Sequence, residues 1–462
     1  MIGSAALQEI DRRRAVIVEL SRRIWENPEP GFKEFQAAEL TARVLREAGF
    51  EVETGAGGLG SAVKASFGSG GPAVAFLGEF DALPGLSQKI STQREALTPG
   101  APGHACGHNL ICAAHVGAVL GLKEEMVKNK LPGKIVFFAC PGEELLTGKG
   151  FMARAGLFDG LDAAVNFHPN KASEVTLGTS TAVNSCRFHF LGRAAHAGSE
   201  PHKGRSALDA VELTNVGANY LREHLPPDVR LHYIITEGGA APNIVPEKAS
   251  VWYYVRALSR EATEDAYERL VQVARGAAMM TGVKVEVEFL GGCYNTMGNR
   301  VLSEVVHEAM GEIQPEPWTE EEKAFAAALD AHDPEQCAAM RKKYGQTDGQ
   351  HLYEGGGLIT SFNSYGSTDL GDVMHIVPTA YFFTGCTSLG TPNHSWQFCA
   401  CAGGAVGEKG MLLGARIMAV FGAKLLNDPA ILKRAKAEFD QAMAGRVYKC
   451  PLPDGLPAPA GQ

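Results

Sequence analysis

A two-domain α/β fold is predicted by three features: chain length, a strand, helix, strand run between residues 63 and 140, and a change of texture near residue 180. At 462 residues the chain exceeds the size at which one hydrophobic core keeps growing. Apolar residues make up 45% and charged residues 21%, which is globular usage. The formal net charge is -9, and no run of Lys and Arg stands out. Nucleic acid is therefore not expected as a partner, because a phosphate backbone needs a basic face.

The N-terminal stretch MIGSAALQEIDRRRAVIVELSRRIW scatters charges through its apolar residues. It reads as one amphipathic helix and lacks the uninterrupted core of a signal peptide. Nowhere do about eighteen apolar residues run without a charge, so no membrane span is expected. The ten cysteines lack the dense spacing of a disulfide scaffold and are expected to be reduced. The expected location is the cytoplasm.

Residues 63–83, VKASFGSGGPAVAFLGEFDAL, read as two strands around a Gly-rich turn, and KIVFFAC at 134–140 as a short buried strand. Between them, Asn109 to Lys128 places small and apolar residues at helical spacing before the break Leu131-Pro132-Gly133. The apolar AAVNF at 163–167 gives another strand, with His168 at its carboxyl end. This alternation implies an α/β domain around a central mixed sheet.

From residue 180 the order becomes strand, helix, strand, strand, helix, strand, ending with the alternating VKVEVEFL. That suits a small α+β ferredoxin-like unit inserted in the larger domain. The expected division is 1–179 with 292–462 for the larger domain and 180–291 for the insert. After Gly291-Gly292 the pattern returns to helices with loops. Residues 315–350 read as charged surface helices, and the tail PLPDGLPAPAGQ is too Pro-rich to fold alone.

Four short segments carry candidate chemistry. Gly103-His104-Ala105-Cys106-Gly107-His108-Asn109 offers a thiolate and an imidazole two residues apart, good ligands for zinc-like ions. Pro141-Gly142-Glu143-Glu144 leaves the strand KIVFFAC, where active-site loops of α/β sheets sit. One of those carboxylates can ligate a metal while its neighbour takes a proton from an activated water. His168 ends a strand, and His394 lies in the loop Pro392-Asn393-His394-Ser395-Trp396. Taken singly, each has an ordinary structural explanation: a small buried Cys, solvated glutamates, a satisfied core or turn His. His104 reads as structural.

Together, HACGHN, PGEE, NFHP, GRAAHAG, PNIVP, GSTDLGD and PNHSW occur in an order that resembles the metal-dependent aminoacylase and carboxypeptidase family. The Cys-x-His motif resembles its amidohydrolase branch of hippurate and auxin-conjugate hydrolases, and GEFDALPGLSQ with HACGHNL is most similar to aminobenzoyl-glutamate hydrolases. The resemblance spans about residues 10–430. It implies that Cys106, His108, Glu144, His168 and His394 hold two divalent ions, manganese or zinc, with Glu143 as general base toward a water shared by the two ions. It also implies that the insert is a lid and dimerisation domain whose His196 reaches an active site, often that of a partner subunit. Asn243 and Arg256 match substrate-contact positions, Arg256 for a carboxylate, though Arg256 equally suits a structural ion pair.

Three positions depart from the branch. Glu79 and Asp81 stand where other branches carry a metal-binding His and a supporting Asp, so neither is assigned as a ligand; Asp81 could orient a ligand. Asn109 replaces a frequent Asp, and Asp369 is read as holding the metal loop. The resemblance implies a small-molecule substrate bearing a carboxylate, and a homodimer or a hetero-oligomer with a related subunit. Amide hydrolysis of an N-acyl or N-aroyl amino acid, aminobenzoyl-glutamate-like or β-alanyl-dipeptide-like, is the leading expectation. Hydrolytic deamination of an amino-aromatic acid at the same metals, and a non-catalytic metal-binding protein, stand as alternatives.

Overall fold

A computed structural model describes residues 2–459. Twelve strands are found among them: β1 (Glu51–Thr54), β2 (Val63–Ser69), β3 (Ala73–Glu79), β4 (Gly133–Cys140), β5 (Ala163–Asn170), β6 (Glu174–Thr176), β7 (Ala182–Leu191), β8 (Arg230–Glu237), β9 (Lys248–Ala257), β10 (Lys284–Cys293), β11 (Leu358–Thr360) and β12 (Thr379–Gly385). Eight form one mixed sheet in the order β1-β2-β4-β3-β5-β12-β6-β11. Its central strands β4, β3, β5 and β12 run parallel to one another, so their carboxyl ends leave the sheet at one edge.

The central strands are apolar throughout because both faces are covered. On one face the helices His108–Asn129 and Ala405–Asn427 pack over Phe76, Phe137, Val165 and Phe167. Small residues let the layers close: a side chain at Gly414 would meet the Phe167 ring at 2.9 Å. The helix Ala405–Asn427 has the length and apolarity of a membrane span, yet 83% of its most apolar window is buried inside the protein. It is a core helix, and its character follows from being surrounded. On the other face Leu77, Phe138 and Ala164 pack with Phe151, Met152, Val373 and Leu452.

The other four strands form an antiparallel sheet in the order β10-β7-β9-β8. With the helices Ala207–Leu221 and Arg260–Thr281 between them, the chain order is strand, helix, strand, strand, helix, strand, as the alternation near residue 180 predicts. Ser206 and Ser259 cap the two helices by accepting from Asp209 N and Ala262 N. Their apolar faces close over Phe188, Phe190, Val251 and Tyr253.

Four local expectations change. The N-terminal stretch is two helices, Ser4–Arg12 and Arg14–Glu26, separated at Arg13. The region after residue 291 contains β11 and β12 as well as helices, and β12 lies beside β5 near the middle of the sheet. The segment 315–350 forms the helices Glu320–Asp330 and Pro334–Tyr344, but these bury Leu329, Asp330, Cys337 and Tyr344 rather than resting on the surface. The tail has no helix or strand over 451–459, yet Leu452 is buried and the Arg154 guanidinium donates to the Pro453 and Leu456 carbonyls. Residues 460–462 of that tail lie outside the described residues.

The first helix begins over a buried carboxylate. Glu125, on the helix His108–Asn129, accepts from Gly3 N at 3.0 Å, Ala5 N at 2.8 Å and Ala6 N at 3.2 Å, satisfying amides that would otherwise have no partner. Glu125→Ala should lower unfolding free energy by about 1–3 kcal/mol, read from the urea midpoint. An unchanged midpoint would show that the cap contributes nothing.

Candidate metal centre

All the candidate ligand residues lie at the carboxyl edge of the central strands, the place where α/β sheets bind ligands. β3 leads into Asp81, β4 into Glu143 and Glu144, β5 carries His168, and the chain after β12 turns back at His394. His108 opens the helix His108–Asn129. The tight turns there need left-handed backbone: Gly107 has φ 77° and Gly142 φ 65°, conformations that glycine adopts at least cost. His394 holds φ 53° without being glycine, a strain tolerated mainly at functional loops.

The side chains converge. Cys106 Sγ and His168 Nε2 are 3.3 Å apart. His108 Nε2 lies 3.7 Å from Glu79 Oε2, 3.8 Å from Glu143 Oε2 and 3.9 Å from Glu144 Oε1. His394 Nε2 is 3.7 Å from Glu144 Oε1. Cys106, His108 and His168 form one group with ligand atoms within 4.8 Å of one another, Cys106, Glu144 and His394 a second, and Glu79, His108 and Glu143 a third. Cys106 is common to the first two groups and His108 to the first and third.

Both imidazoles are oriented from behind. His108 Nδ1–H donates to Asp81 Oδ1 at 2.8 Å, and His168 Nδ1–H donates to the Pro169 carbonyl at 2.8 Å. With the rings neutral, each Nε2 would present a lone pair to the cluster, the arrangement seen behind metal-binding histidines; burial lowers His108, but Cys106 and Asp81 raise it well above its ordinary value. Asp81 also accepts from Glu144 N at 2.8 Å, tying the glutamate loop to the same carboxylate. His108 Nε2 and Glu144 Oε1 are buried with no hydrogen-bond partner. Orphaned polar atoms of this kind cost free energy, and a cation supplies the missing partner for both.

The charge balance points the same way. Burial raises the Glu143 carboxyl well above its ordinary range, with Glu79 adding to it, and burial raises Glu144 to about 7. Burial and then the neighbouring Glu144 raise the Cys106 thiol. His168 is lowered to about 4 by burial and by His108, so its ring is neutral near neutral pH. Thiolate, carboxylate and neutral imidazole are the forms that bind metal, and a divalent cation among these atoms would favour the ionised forms of Cys106 and Glu144. The donor set fits zinc-like or manganese-like ions.

Below the cluster sits a buried ion network. Lys149, wholly enclosed, places Nζ 2.7 Å from Glu79 Oε1 and 2.6 Å from Asp369 Oδ1. Burial alone would lower this ammonium, but Asp369 and Glu79 raise it well above its ordinary value. Asp369 also accepts from Lys149 N at 2.8 Å, which fastens the segment following Glu143 and Glu144. The Gly142 amide donates to buried Glu34 at 2.8 Å. Lys149 and Glu34 carry no motif signal; a Lys after a Gly and a Glu before a helix are ordinary in sequence.

A cavity of about 570 Å³ opens from the cluster, lined by Cys106, Glu143, Glu144, His168 and His394 at one end. Arg256 on β9 lines it as well, its Nη1 donating to Ser367 Oγ at 2.7 Å; it makes no ion pair among the described residues. His196 and Asn243 do not line it. They sit together on exposed loops of the smaller sheet unit, where Ala197 N donates to the Asn243 carbonyl and His196 pairs with Ile244 in a single bridge. His104 is buried with Nε2 3.1 Å from the Ile24 carbonyl, and Asn109 donates to Ser21 Oγ and the Ala402 carbonyl; both are structural.

This fold, with a donor cluster over a parallel sheet edge and an antiparallel insert, defines the class of metal-dependent hydrolases acting on carbon-nitrogen bonds. The chain belongs to the M20 peptidase family, and within it groups with a subunit of p-aminobenzoyl-glutamate hydrolase. It is 38% identical to that subunit from Escherichia coli K12, over 98% of this chain and 97% of the relative. It is 30% identical to Xaa-Arg dipeptidase of Mus musculus, over 95% of this chain and 92% of that protein. Residues 182–279 match the peptidase dimerisation domain. A dinuclear metal-binding peptidase of the M20 family from Bacillus subtilis shares the fold at a TM-score of 0.61, with 18% identity over 90% of this chain and 99% of that chain.

Removing Lys149 would leave Glu79 and Asp369 buried without a counter-ion. Lys149→Met should therefore cost about 3–5 kcal/mol of unfolding free energy, measured by denaturant titration. A cost below about 1 kcal/mol would remove the network from the account.

Proposed function

We propose that this hydrolase cleaves the amide bond of an N-acyl or N-aroyl amino acid, aminobenzoyl-glutamate-like or β-alanyl-dipeptide-like, with Glu143 as general base. The observation that carries the reading is the pair of orphaned buried atoms, His108 Nε2 and Glu144 Oε1, beside the spare carboxylate of Glu143 at the cavity floor. Cys106, His108, Glu144, His168 and His394 would hold two divalent ions, manganese or zinc, which when bound polarise the scissile carbonyl and acidify water.

The remaining steps belong to the chain's own residues. Glu143, held beside His108, takes a proton from the attacking water and returns it to the departing amine nitrogen. Arg256 faces the cavity without an acidic partner and would hold the substrate carboxylate. Asp81 keeps His108 in the ligating tautomer. His196 accepts at Nδ1 from Gly198 N and Ser199 N, which leaves its proton on Nε2 as a donor for the developing oxyanion. Its exposure away from this chain's own cavity suits delivery to the site of a second copy, through the unit at 180–291. Asn243, in the adjoining exposed loop, would accompany it. The functional assembly is then a homodimer or a pairing with a related subunit, acting in the cytoplasm. The rest of the chain, 1–179 and 292–462, forms the catalytic domain.

Two outcomes are expected. Glu143→Ala should retain the metal content of the native protein and lose about 10²–10⁴-fold in turnover of N-benzoyl amino acids; retained turnover removes Glu143 from the mechanism. His196→Ala should also be inactive, and mixing it with Glu143→Ala should restore activity, because one site of the mixed dimer then has both residues. Two inactive variants that stay inactive after subunit exchange would place His196 outside the partner's site.

A further inference from the structure

The segment 315–350 takes no part in the chemistry above, yet its two helices pack against the loop that carries His394. The helix Glu320–Asp330 ends and the helix Pro334–Tyr344 begins across the short turn Ala331-His332-Asp333, where Asp333 accepts from Gln336 N at 3.0 Å. Asp330, the last residue of the first helix, is 2% exposed. One of its oxygens accepts from Gly390 N at 2.8 Å, and the other accepts from Cys337 Sγ and His351 Nδ1, each at 2.9 Å. Leaving three buried donors without their acceptor is expensive. The one carboxylate therefore ties the helical hairpin, the chain at His351 and the loop after β12 to one another.

The chain from Cys386 to Thr391 is buried and surfaces at Asn393 and His394. Just before it surfaces, Gly390 N is held by Asp330 and Leu389 N donates to the His351 carbonyl at 2.9 Å. The approach is close: a side chain at Gly390 would meet Asp330 Oδ1 at 2.8 Å and Cys337 Cβ at 3.2 Å. Just after His394, the Trp396 ring stands at 90° to the His332 ring, with centroids 5.1 Å apart. The hairpin thus touches the loop on both sides of the ligand. His394 needs such support, because its φ of 53° is kept by a non-glycine residue only where the surroundings over-determine it. Its side chain is 53% exposed, so burial does not hold it. Ser395 Oγ donates to the Pro392 carbonyl at 2.7 Å and closes the turn locally; the hairpin fixes where that turn stands.

We propose that Asp330 is a positioning residue for the metal centre: by clamping Gly390 against the helical hairpin it sets His394 beside Glu144 and Cys106, and so governs the affinity of the ion that these three residues would share. This rests on the two-ion reading above. Asp330 does not line the cavity, and its effect runs through the loop. The segment 315–350 thereby gains a role that its charged composition does not suggest, as the brace behind one metal ligand.

Zinc binding to the metal-stripped full-length protein, read by equilibrium dialysis, is the test. Asp330→Asn keeps the size of the side chain but turns an amide N–H toward donors, and should leave one zinc as tight as in the native protein while weakening the other about 10-fold, the low end of what groups behind metal ligands contribute. In a His394→Ala background the same substitution should cause no further loss, because the ligand it positions is already gone. Leu329→Ala removes buried packing from the same helix; it should lower the urea midpoint and leave both zinc affinities unchanged. His351→Phe takes one donor from the carboxylate at a less buried position, should weaken the same ion about 2–5-fold, and carries the test if Asp330→Asn does not fold. Native affinities in both Asp330→Asn and His351→Phe, equal loosening by Leu329→Ala, or a further loss in the His394→Ala background would overturn the proposal. So would a third zinc per chain that Asp330→Asn removes, since Asp330, Cys337 and His351 would then be ligands themselves. A native protein that binds no zinc overturns the two-ion reading along with this one, whereas two tight ions indifferent to Asp330→Asn overturn the positioning role alone.

Discussion

Four acidic side chains, Glu79, Asp81, Glu143 and Asp369, are buried around one imidazole and one ammonium, with the half-buried Glu144 beside them, and the rest of the molecule is arranged around that fact. Buried charge of one sign is expensive unless it is paired or bound to metal. Lys149 answers for Glu79 and Asp369, and His108 for Asp81. Glu143 and Glu144 are left facing His108 Nε2 at distances too long for hydrogen bonds. Cations in the space between them would balance the cluster, and a carboxylate beside bound cations would be placed to accept a proton.

The fold brings this charge together cheaply because four parallel strands end at one edge. Each strand delivers its polar residues just beyond the point where its apolar run stops, so the donors gather without unpaired backbone beneath them. Asp81 ties two of these deliveries together, through His108 and through the Glu144 amide. Asp369, from a distant part of the chain, clamps Lys149 behind them. The antiparallel unit serves a different need: it carries Arg256 to its own chain's cavity and displays His196 on an exposed loop that does not line that cavity.

The sheet core and the insert were legible in sequence because their strands are bounded by Gly and Pro and their helices keep a clean period. β12, TAYFFTG, was not, although it lies near the sheet's centre: a seven-residue apolar run without alternation cannot be told from a buried helix segment by periodicity alone. The segment 315–350 was read as surface because its charges dominate its composition, whereas Leu329, Cys337 and Tyr344 bury its inner side. In the site, Cys106, His108, Glu144, His168 and His394 stand at motif positions and are found side by side. Lys149 and Glu34 were invisible, because their significance lies in what surrounds them rather than in local spacing.

Anomalous X-ray diffraction from crystals of the purified protein tests the central claim most directly. Two divalent ions per chain, both ligated through the cluster of Cys106, His108, Glu144, His168 and His394, with the Cys106 sulfur near both, is the result the account predicts. An active protein with no ion in that cluster would contradict it.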